Sequence, residues 1–194
     1  MPRLFIIAGC NGSGKTTASY ALLPGMLECS EFVNSDEFAK SLSPFHPESA
    51  YVAASRYMLM KMRFLLQRKA DFCIETTLAT RSLLKVIKDA KEAGYYVTIL
   101  YFWLNSPDLA VARVAARVAA GGHNIKEETI RRRYNVGLHY LFRDFMPLCD
   151  RWLLLTIPTC RSPLWRKRRR MAKLSGSPRS SAKSRRSTRN MKNI

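Results

Sequence analysis

The residues best placed to do chemistry are residues 9–16, which read Gly-Cys-Asn-Gly-Ser-Gly-Lys-Thr. They match the P-loop pattern, in which glycines let successive backbone N–H groups face a phosphate. The N-terminus of the following helix adds about half a positive charge at the same point. Lys15 is expected to reach the β- and γ-phosphates of ATP, and Thr16 to ligate Mg²⁺. The pattern predicts the nucleotide but does not name the phosphate acceptor.

The segments flanking this loop have the composition that the pattern requires. Residues 3–8 are apolar and predict a buried strand, and residues 16–23 begin a helix. A strand, a glycine loop and a helix in this order distinguish a phosphate site from a chance glycine turn. The expected ATP-binding residues of the loop are Gly9, Asn11, Gly12, Ser13, Gly14, Lys15, Thr16 and Thr17.

A carboxylate that could act as a base follows the second predicted strand. Asp36 comes after residues 31–34 and is the candidate to take a proton from an acceptor hydroxyl. The alternative is an acid at a helix N-terminus, where it interacts with the helix dipole and where Ser35 can cap the helix. Glu37 lies about 100° further around that helix and is the weaker candidate.

A second carboxylate ends the strand predicted at residues 71–77. Glu75 could support Mg²⁺ through water or bind substrate hydroxyls, with Thr76 and Thr77 adding hydroxyls beside it. The alternative is a polar end of a strand without a chemical role.

Arginines flank a pair of glycines further along the chain. Arg113 and Arg117 are four residues apart and share a helix face, Gly121 and Gly122 follow, and then comes the run at residues 131–133. Arginines on both sides of a hinge suggest a lid that closes over phosphates and excludes water. The alternative is a solvated basic helix. His123, beside the glycines, is interpreted as structural.

Strand and helix patterns alternate over most of the chain. Helices are predicted at residues 48–69, 81–93, 107–120 and 126–145, and further strands at 95–104 and 152–157. This alternation predicts an α/β fold of three layers, with a parallel sheet of the P-loop nucleotide-kinase type and a helical lid. Functional groups should then lie at the carboxyl ends of the strands.

Composition narrows the class of protein. The 194 residues are 47% hydrophobic, and the most apolar run, residues 95–104, is about half of a membrane span. Five cysteines without a C-x-x-C pair favour reduced thiols and a cytoplasmic protein. Cys10 lies in the P-loop, where amide dipoles could lower its pKa, although a filler role is the preferred reading. No membrane contact is expected.

The motifs together resemble the zeta toxin family of P-loop kinases. The segments that match are Ala-Gly-Cys-Asn-Gly-Ser-Gly-Lys-Thr-Thr (8–17), Phe-Val-Asn-Ser-Asp-Glu (32–37), Ile-Glu-Thr-Thr-Leu (74–78), Arg-Val-Ala-Ala-Arg-Val-Ala-Ala-Gly-Gly-His-Asn-Ile (113–125) and Arg-Arg-Arg-Tyr (131–134). The resemblance covers about residues 3–153. The segment Arg-Val-x-x-Gly-Gly-His ahead of Arg-Arg-Tyr is its most specific part.

The resemblance implies a kinase that uses ATP and Mg²⁺ to phosphorylate the 3′-hydroxyl of the amino sugar of UDP-N-acetylglucosamine. It implies Asp36 as the base and Lys15 with Arg117 as catalytic phosphate-binding groups. Arg113 and one of residues 131–133, here Arg132, would also bind ATP, although the spacing leaves the choice among the three open. Glu75 and Thr77 would hold the nucleotide sugar. Some family members pair with a small antitoxin that blocks the nucleotide site, and others occur alone.

The end of the chain departs from the family pattern. The net charge of +19 is uneven, because 13 of the 33 Lys and Arg, and no acid, lie in residues 161–194. Family members usually follow the strand at Trp152 with Asp-Asn-Ser, whereas Thr-Ile-Pro-Thr-Cys-Arg occupies residues 156–161. Residues 155–158 can be encoded by the codons CTG ACA ATT CCG, and read from the G of the first codon this string gives GAC AAT TCC, which encodes Asp-Asn-Ser.

We therefore hypothesise a change of reading frame near residue 155, which the nucleotide sequence of the gene decides. This divides the chain into a kinase domain at residues 1–155 and a basic tail at residues 156–194. The tail is expected to be disordered and to bind nucleic acid only weakly. An evolved nucleic-acid-binding arm is the alternative.

Two other functions remain open from the sequence. One is a kinase for a different acceptor, such as a nucleic-acid end, an antibiotic or another metabolite. The other is a protein without enzymatic activity that binds nucleotide or nucleic acid. Asp36→Asn should abolish the activity of a kinase and leave a binding protein unaffected.

Overall fold

A single sheet organises the computed structural model, which describes residues 1–156 and the short strand Ser175–Gly176. Its strand order is β2-β3-β1-β4-β5-β6, with the first five strands parallel and β6 antiparallel to β5. The strands are β1 (Arg3–Ala8), β2 (Glu31–Val33), β3 (Phe72–Thr76), β4 (Tyr96–Trp103), β5 (Arg151–Thr156) and β6 (Ser175–Gly176).

Helices connect successive parallel strands and complete the predicted α/β fold. They are α1 (Lys15–Leu22), α2 (Ser35–Leu42), α3 (Tyr51–Gln67), α4 (Ser82–Glu92), α5 (Pro107–Ala119) and α6 (Glu127–Tyr140). The helix predicted at residues 48–69 instead begins with a 3₁₀ turn, Pro47–Ala50, and α6 continues into a π-helical turn, Leu141–Phe145. Apolar spacing does not distinguish these hydrogen-bonding patterns, so each turn was predicted as part of the adjacent α-helix.

The central strand β1 is buried on both faces. Successive side chains of a strand point to opposite faces, so Leu4 and Ile6 pack in the cluster that includes Met62 of α3. Phe5 and Ile7 pack in the second cluster, with Leu23 after α1. The loop that follows β1 is therefore anchored to the most rigid part of the sheet. By contrast, none of the residues of β5 is buried.

The carboxyl ends of β1, β2 and β3 meet at one edge of the sheet, as predicted. The P-loop follows β1, Asp36 lies in the first turn of α2 after β2, and Glu75 lies near the end of β3. The helices α5 and α6 pack beside this edge, in a cluster that joins Cys10 of the P-loop to Val114 and Tyr134.

Within the described residues, no helix combines the length and apolar character needed to cross a membrane. The four cysteines of this part of the chain have free thiols. The expectations for residues 157–174 and 177–194 lie outside the described residues. Ser175–Gly176 pairs with β5 as β6, whereas disorder was predicted for this part of the chain.

Gly137 provides a test of the packing of α6. A Cβ at this position would lie 2.6 Å from the carbonyl oxygen of Thr77, which is closer than packed atoms approach. Alanine is normally favoured over glycine in a helix by about 1 kcal/mol. We nevertheless expect Gly137→Ala to lower the free energy of unfolding by about 1–3 kcal/mol, because the contact forces backbone to shift.

Thermal and urea unfolding followed by circular dichroism measure this effect. Gly25→Ala is the matched control, because a Cβ there has no atom within 4 Å. If Gly137→Ala proved as stable as the control variant, α6 would not pack against the loop at Thr77 as described.

Candidate active site

The P-loop needs its glycines for space as well as for turning. Gly9, Gly12 and Gly14 have φ values of 145°, 79° and 82°. A Cβ at Gly9 would lie 2.4 Å from the carbonyl oxygen of Phe102 in β4, and one at Gly12 would lie 2.9 Å from that of Ala110 in α5. The loop is thus pressed against the neighbouring strand and helix, which fixes its curvature.

The ammonium group of Lys15 is buried inside this loop. Lys15 is the first residue of α1, and its Nζ donates a hydrogen bond of 2.9 Å to the carbonyl oxygen of Cys10. Burial lowers the pKa of Lys15, an effect that the negative charges of Glu75 and Asp36 oppose. A nearby anion would stabilise the charged form.

Ser13 gives a second indication of an anion site. Among the described residues, its Oγ is the buried side-chain atom of nitrogen or oxygen that has no hydrogen-bond partner. A buried hydroxyl without a partner is costly unless a ligand or water satisfies it. A phosphate group therefore suits the residues present, since the loop offers backbone amides, a cation and this hydroxyl.

Glu75 joins the P-loop to the start of α2. Thr16 donates from Oγ1 to one oxygen of the carboxylate and Asn34 donates from Nδ2 to the other, each at 3.0 Å. Burial raises the pKa of Glu75, and Lys15 and the hydrogen bond from Thr16 oppose this effect. Because the Thr16 hydroxyl donates its proton to Glu75, the lone pairs of its oxygen stay free for a cation.

The helix that carries Asp36 is capped by Asn34 and not, as predicted, by Ser35. The Asn34 Oδ1 accepts hydrogen bonds from the backbone N–H groups of Asp36 at 2.9 Å and Glu37 at 3.3 Å. Asn34 has extended backbone angles, as a cap requires, whereas Ser35 is already the first residue of the helix. One asparagine thus positions both candidate carboxylates, Asp36 through the backbone and Glu75 through its side chain.

Lys15, Asp36 and Glu75 lie around one cleft of about 310 Å³. Helices α3 and α4 contribute an apolar wall that includes Met62 and Leu83. Thr77, which the resemblance suggests as a substrate-binding residue, also lines the cleft. By contrast, Glu37 does not line this cleft and forms an ion pair of 2.9 Å with Lys40.

The backbone turns sharply where β3 reaches the cleft. Leu78 has a φ of 54°, an unusual value for a buried leucine, and its N–H donates to Oγ1 of Thr76 at 3.0 Å. Strained backbone of this kind costs about 1–3 kcal/mol and often occurs at functional sites. The turn leaves Thr77 at the edge of the cleft.

The structure distinguishes the three arginines that the sequence could not. Arg133 donates from Nη1 to Oδ1 of Asn11 in the P-loop at 3.2 Å and lines the cleft. Arg131 forms an ion pair of 2.6 Å with Asp108. Arg132, the residue named from the resemblance, is exposed. The geometry therefore favours Arg133 as the arginine of α6 nearest the phosphates.

The two arginines of α5 lie differently. The positive charge of Arg113 acts on Cys10, although burial is the larger influence and raises the pKa of that thiol. The structure therefore does not support a lowered pKa for Cys10, and a packing role is the better interpretation. Arg117 is exposed, and its Nη2 donates to the carbonyl oxygen of His123 at 2.7 Å.

Sequence reasoning missed Tyr51, the first residue of α3. Its hydroxyl shares a hydrogen bond of 2.8 Å with Nε2 of His123, which lies between α5 and α6. Burial raises the pKa of Tyr51, as does the charge of Asp36, while Arg133 and Arg117 oppose them. Tyr51 thus lies close to Asp36 and Arg133 of the cleft, although it does not line the cleft itself, and no motif in the sequence marks it.

The described residues offer few protein ligands for a metal. No group of three or more His, Cys, Asp and Glu side chains lies together among them. Mg²⁺ in phosphate-transfer sites typically takes one or two protein oxygens, with substrate phosphates and water as its other ligands. Thr16, with Glu75 beside it, fits this limited role.

Comparisons with known proteins agree with this fold. The model of the AAA domain family AAA_33 matches residues 4–135. An uncharacterised protein of Haemophilus influenzae (strain ATCC 51907 / DSM 11121 / KW20 / Rd) is 33% identical over 126 residues, which cover 65% of this chain and 88% of the relative.

Two solved structures are similar in fold. One comes from the PezAT chromosomal toxin-antitoxin system of Streptococcus pneumoniae, with a TM-score of 0.61, 16% identity, and coverage of 80% of this chain and 68% of that one. The other is a protein of Chloroflexus aurantiacus j-10-fl described as a kinase by inference, with a TM-score of 0.56, 21% identity, and coverage of 69% and 76%.

The N-cap of α2 can be tested by mutation, because the sequence predicted Ser35 and the structure has Asn34. Asn34→Ala removes two cap hydrogen bonds and the bond to Glu75, so we expect the free energy of unfolding to fall by about 1–2 kcal/mol. Ser35→Ala is the matched control and should change it by less than about 0.5 kcal/mol. The midpoint of urea unfolding measures both, and a larger loss in Ser35→Ala would restore Ser35 as the cap.

Proposed function

Since the chain belongs to the AAA_33 family of AAA domains, we propose that it is an ATP-dependent kinase that phosphorylates an alcohol. The observation that carries this proposal is the convergence of the P-loop Lys15 and the carboxylate of Asp36 on one cleft. Phosphoryl transfer requires a phosphate cradle and a group that accepts the proton of the attacking hydroxyl. Kinase-like solved structures support the same reaction class.

The phosphate side of the site is the P-loop with the arginines. Lys15, which donates to the Cys10 carbonyl oxygen, would turn its ammonium toward the β- and γ-phosphates of bound ATP. Arg133 and Arg117 would add positive charge where negative charge develops on the transferred group. Arg113 is proposed only as a more distant contribution to the same field. Mg²⁺, held through Thr16, would neutralise the phosphate oxygens when bound.

Asp36 is proposed as the base. As the acceptor oxygen forms its bond to the γ-phosphorus and the bond to the leaving ADP breaks, the Asp36 carboxylate takes the hydroxyl proton. Asp36 is exposed, so it can pass this proton to solvent after transfer. Glu75, whose oxygens already accept from Thr16 and Asn34, is better suited to hold the site together than to accept a proton.

UDP-N-acetylglucosamine is the acceptor that we propose to test first. The resemblance to zeta toxins nominates it, and the cleft offers groups that suit a sugar: the carboxylates of Asp36 and Glu75, the hydroxyl of Thr77, and an apolar wall at Met62. The likeness to a protein of the PezAT system also supports a search for a small antitoxin partner.

We propose residues 1–155 as the kinase domain and residues 156–194 as a basic tail, of which Ser175–Gly176 pairs with β5. The family match ends at residue 135, and β5, the last of the parallel strands, ends at Thr156. Sequencing the gene across these codons tests the proposed change of frame.

The role of Asp36 can be tested with its neighbour as the control. We expect Asp36→Asn to lower the rate of UDP-N-acetylglucosamine phosphorylation by about 10²-fold or more, because the base is lost. Lys15→Ala should have an effect of similar size through lost phosphate binding. Glu37→Gln, whose native partner is Lys40, should retain most of the activity.

The assay measures transfer of labelled phosphate from ATP in the presence of Mg²⁺, with a panel of other alcohols as alternative acceptors. Full activity in Asp36→Asn would remove it as the base. Phosphorylation of a different acceptor alone would keep the kinase and replace the nucleotide sugar.

Arg133 and Arg132 form a second matched pair. Arg133→Gln should lower the rate of transfer by about 10²-fold or more, because its positive charge lies beside the P-loop. Arg132→Gln changes an exposed side chain and should leave the rate within about twofold. The same labelled-ATP assay distinguishes them, and the opposite ranking would return the role to Arg132.

A further inference from the structure

His123 connects α3 and α5, two helices beside the proposed kinase site. Through its ring it shares the 2.8 Å hydrogen bond with the hydroxyl of Tyr51, and the two rings meet edge to face at 6.2 Å between centroids. Through its carbonyl oxygen it accepts the 2.7 Å hydrogen bond from Arg117. Tyr51 begins the helix that forms the apolar wall of the cleft, and Arg117 lies on the helix beside the P-loop.

The glycines before His123 hold this connection in place. The N–H of Gly122 donates to the carbonyl of Arg117 at 2.9 Å and that of Gly121 to the carbonyl of Val118 at 2.9 Å, the pattern that ends a helix in a left-handed glycine. Gly121 has the required φ of 83°. A Cβ at Gly122 would lie 2.4 Å from Cγ of Arg117, so the arginine side chain packs directly against the loop.

We propose that Tyr51 and His123 form a latch that holds residues 120–126 against α3 and so positions Arg117 for phosphoryl transfer. This inference rests on the proposed kinase function for its chemical consequence, but the latch itself is a statement about the loop. Arg117 is expected to move with the loop, because its guanidinium donates to the His123 carbonyl oxygen and its side chain packs against Gly122. Charges of both signs surround the latch, since Asp36, Glu48, Arg133 and Arg117 all act on Tyr51.

A closed latch has a particular consequence for a kinase. Loops that close over phosphates exclude water, so that the γ-phosphoryl group reaches the acceptor and is not lost by hydrolysis. Breaking the latch should therefore raise ATP hydrolysis relative to transfer. A residue that only stabilised the fold would lower both rates together.

The latch is tested first without reference to activity, by hydrogen–deuterium exchange of the amides of Gly121 and Gly122, which are protected by their hydrogen bonds to Val118 and Arg117. We expect Tyr51→Phe and His123→Ala to raise their exchange rates by about 2- to 10-fold, the range for one lost hydrogen bond. His123→Gln, whose amide can reach Tyr51, should recover part of the protection. Tyr57→Phe is the matched control, because Tyr57 lies on the same helix but is exposed and stacks on Phe38.

The second measurement is the ratio of acceptor phosphorylation to ATP hydrolysis in the same variants. This ratio should fall by about 2- to 10-fold in Tyr51→Phe, with the loss in kcat rather than in the KM for ATP, and His123→Gln should restore part of it. Unchanged exchange in Tyr51→Phe would overturn the latch. Raised exchange with an unchanged ratio would overturn the positioning of Arg117. If the wild-type protein phosphorylated no acceptor, the proposed function would fail, and the exchange rates alone would decide whether the latch exists.

Discussion

The burial of the Lys15 ammonium is the constraint on which the rest of this site depends. A charged group away from water is stable only with close partners. Here the carbonyl oxygen of Cys10 accepts its hydrogen bond, and Glu75 and Asp36 supply negative charge. The backbone carbonyl can reach Nζ only because the loop curls tightly. That curl requires glycine at the positions where β4 and α5 leave no room for a side chain.

The carboxylates that offset Lys15 are themselves held together against repulsion. Glu75 is partly buried, and the neighbouring charges of Asp36 and Glu37 add to the effect of burial on its pKa. Hydrogen bonds from Thr16 and Asn34 compensate for this. Asn34 has two roles, because its Nδ2 donates to Glu75 and its Oδ1 caps the helix that carries Asp36. The phosphate side and the acceptor side of the cleft are therefore one network, and the loss of one member should be felt on both sides.

Features set by neighbours in the chain could be predicted, and those set by distant contacts could not. The P-loop and the strands depend on local apolar runs and glycines, so the loop was recognised and the parallel strands were predicted to within about one residue of their ends. The cap of α2 was assigned one residue late, because Ser and Asn both favour caps and only the backbone angles distinguish them. Tyr51 and His123 are 72 residues apart in the chain, and nothing local to either one indicates the other.

The choice between Arg132 and Arg133 depends on a distant contact, but the spacing of apolar residues in α6 could have predicted it. Ile130, Tyr134 and Gly137 form the buried face of α6 at the spacing expected for a helix. Arg133 is three residues after Ile130 and four before Gly137, so it borders that face, whereas Arg132 lies on the opposite side. A motif match aligns residues 131–133 by their order in the sequence and does not consider which face of the helix each arginine occupies. The burial pattern of α6 carries that information, and it directs Arg133 toward Asn11 and the P-loop.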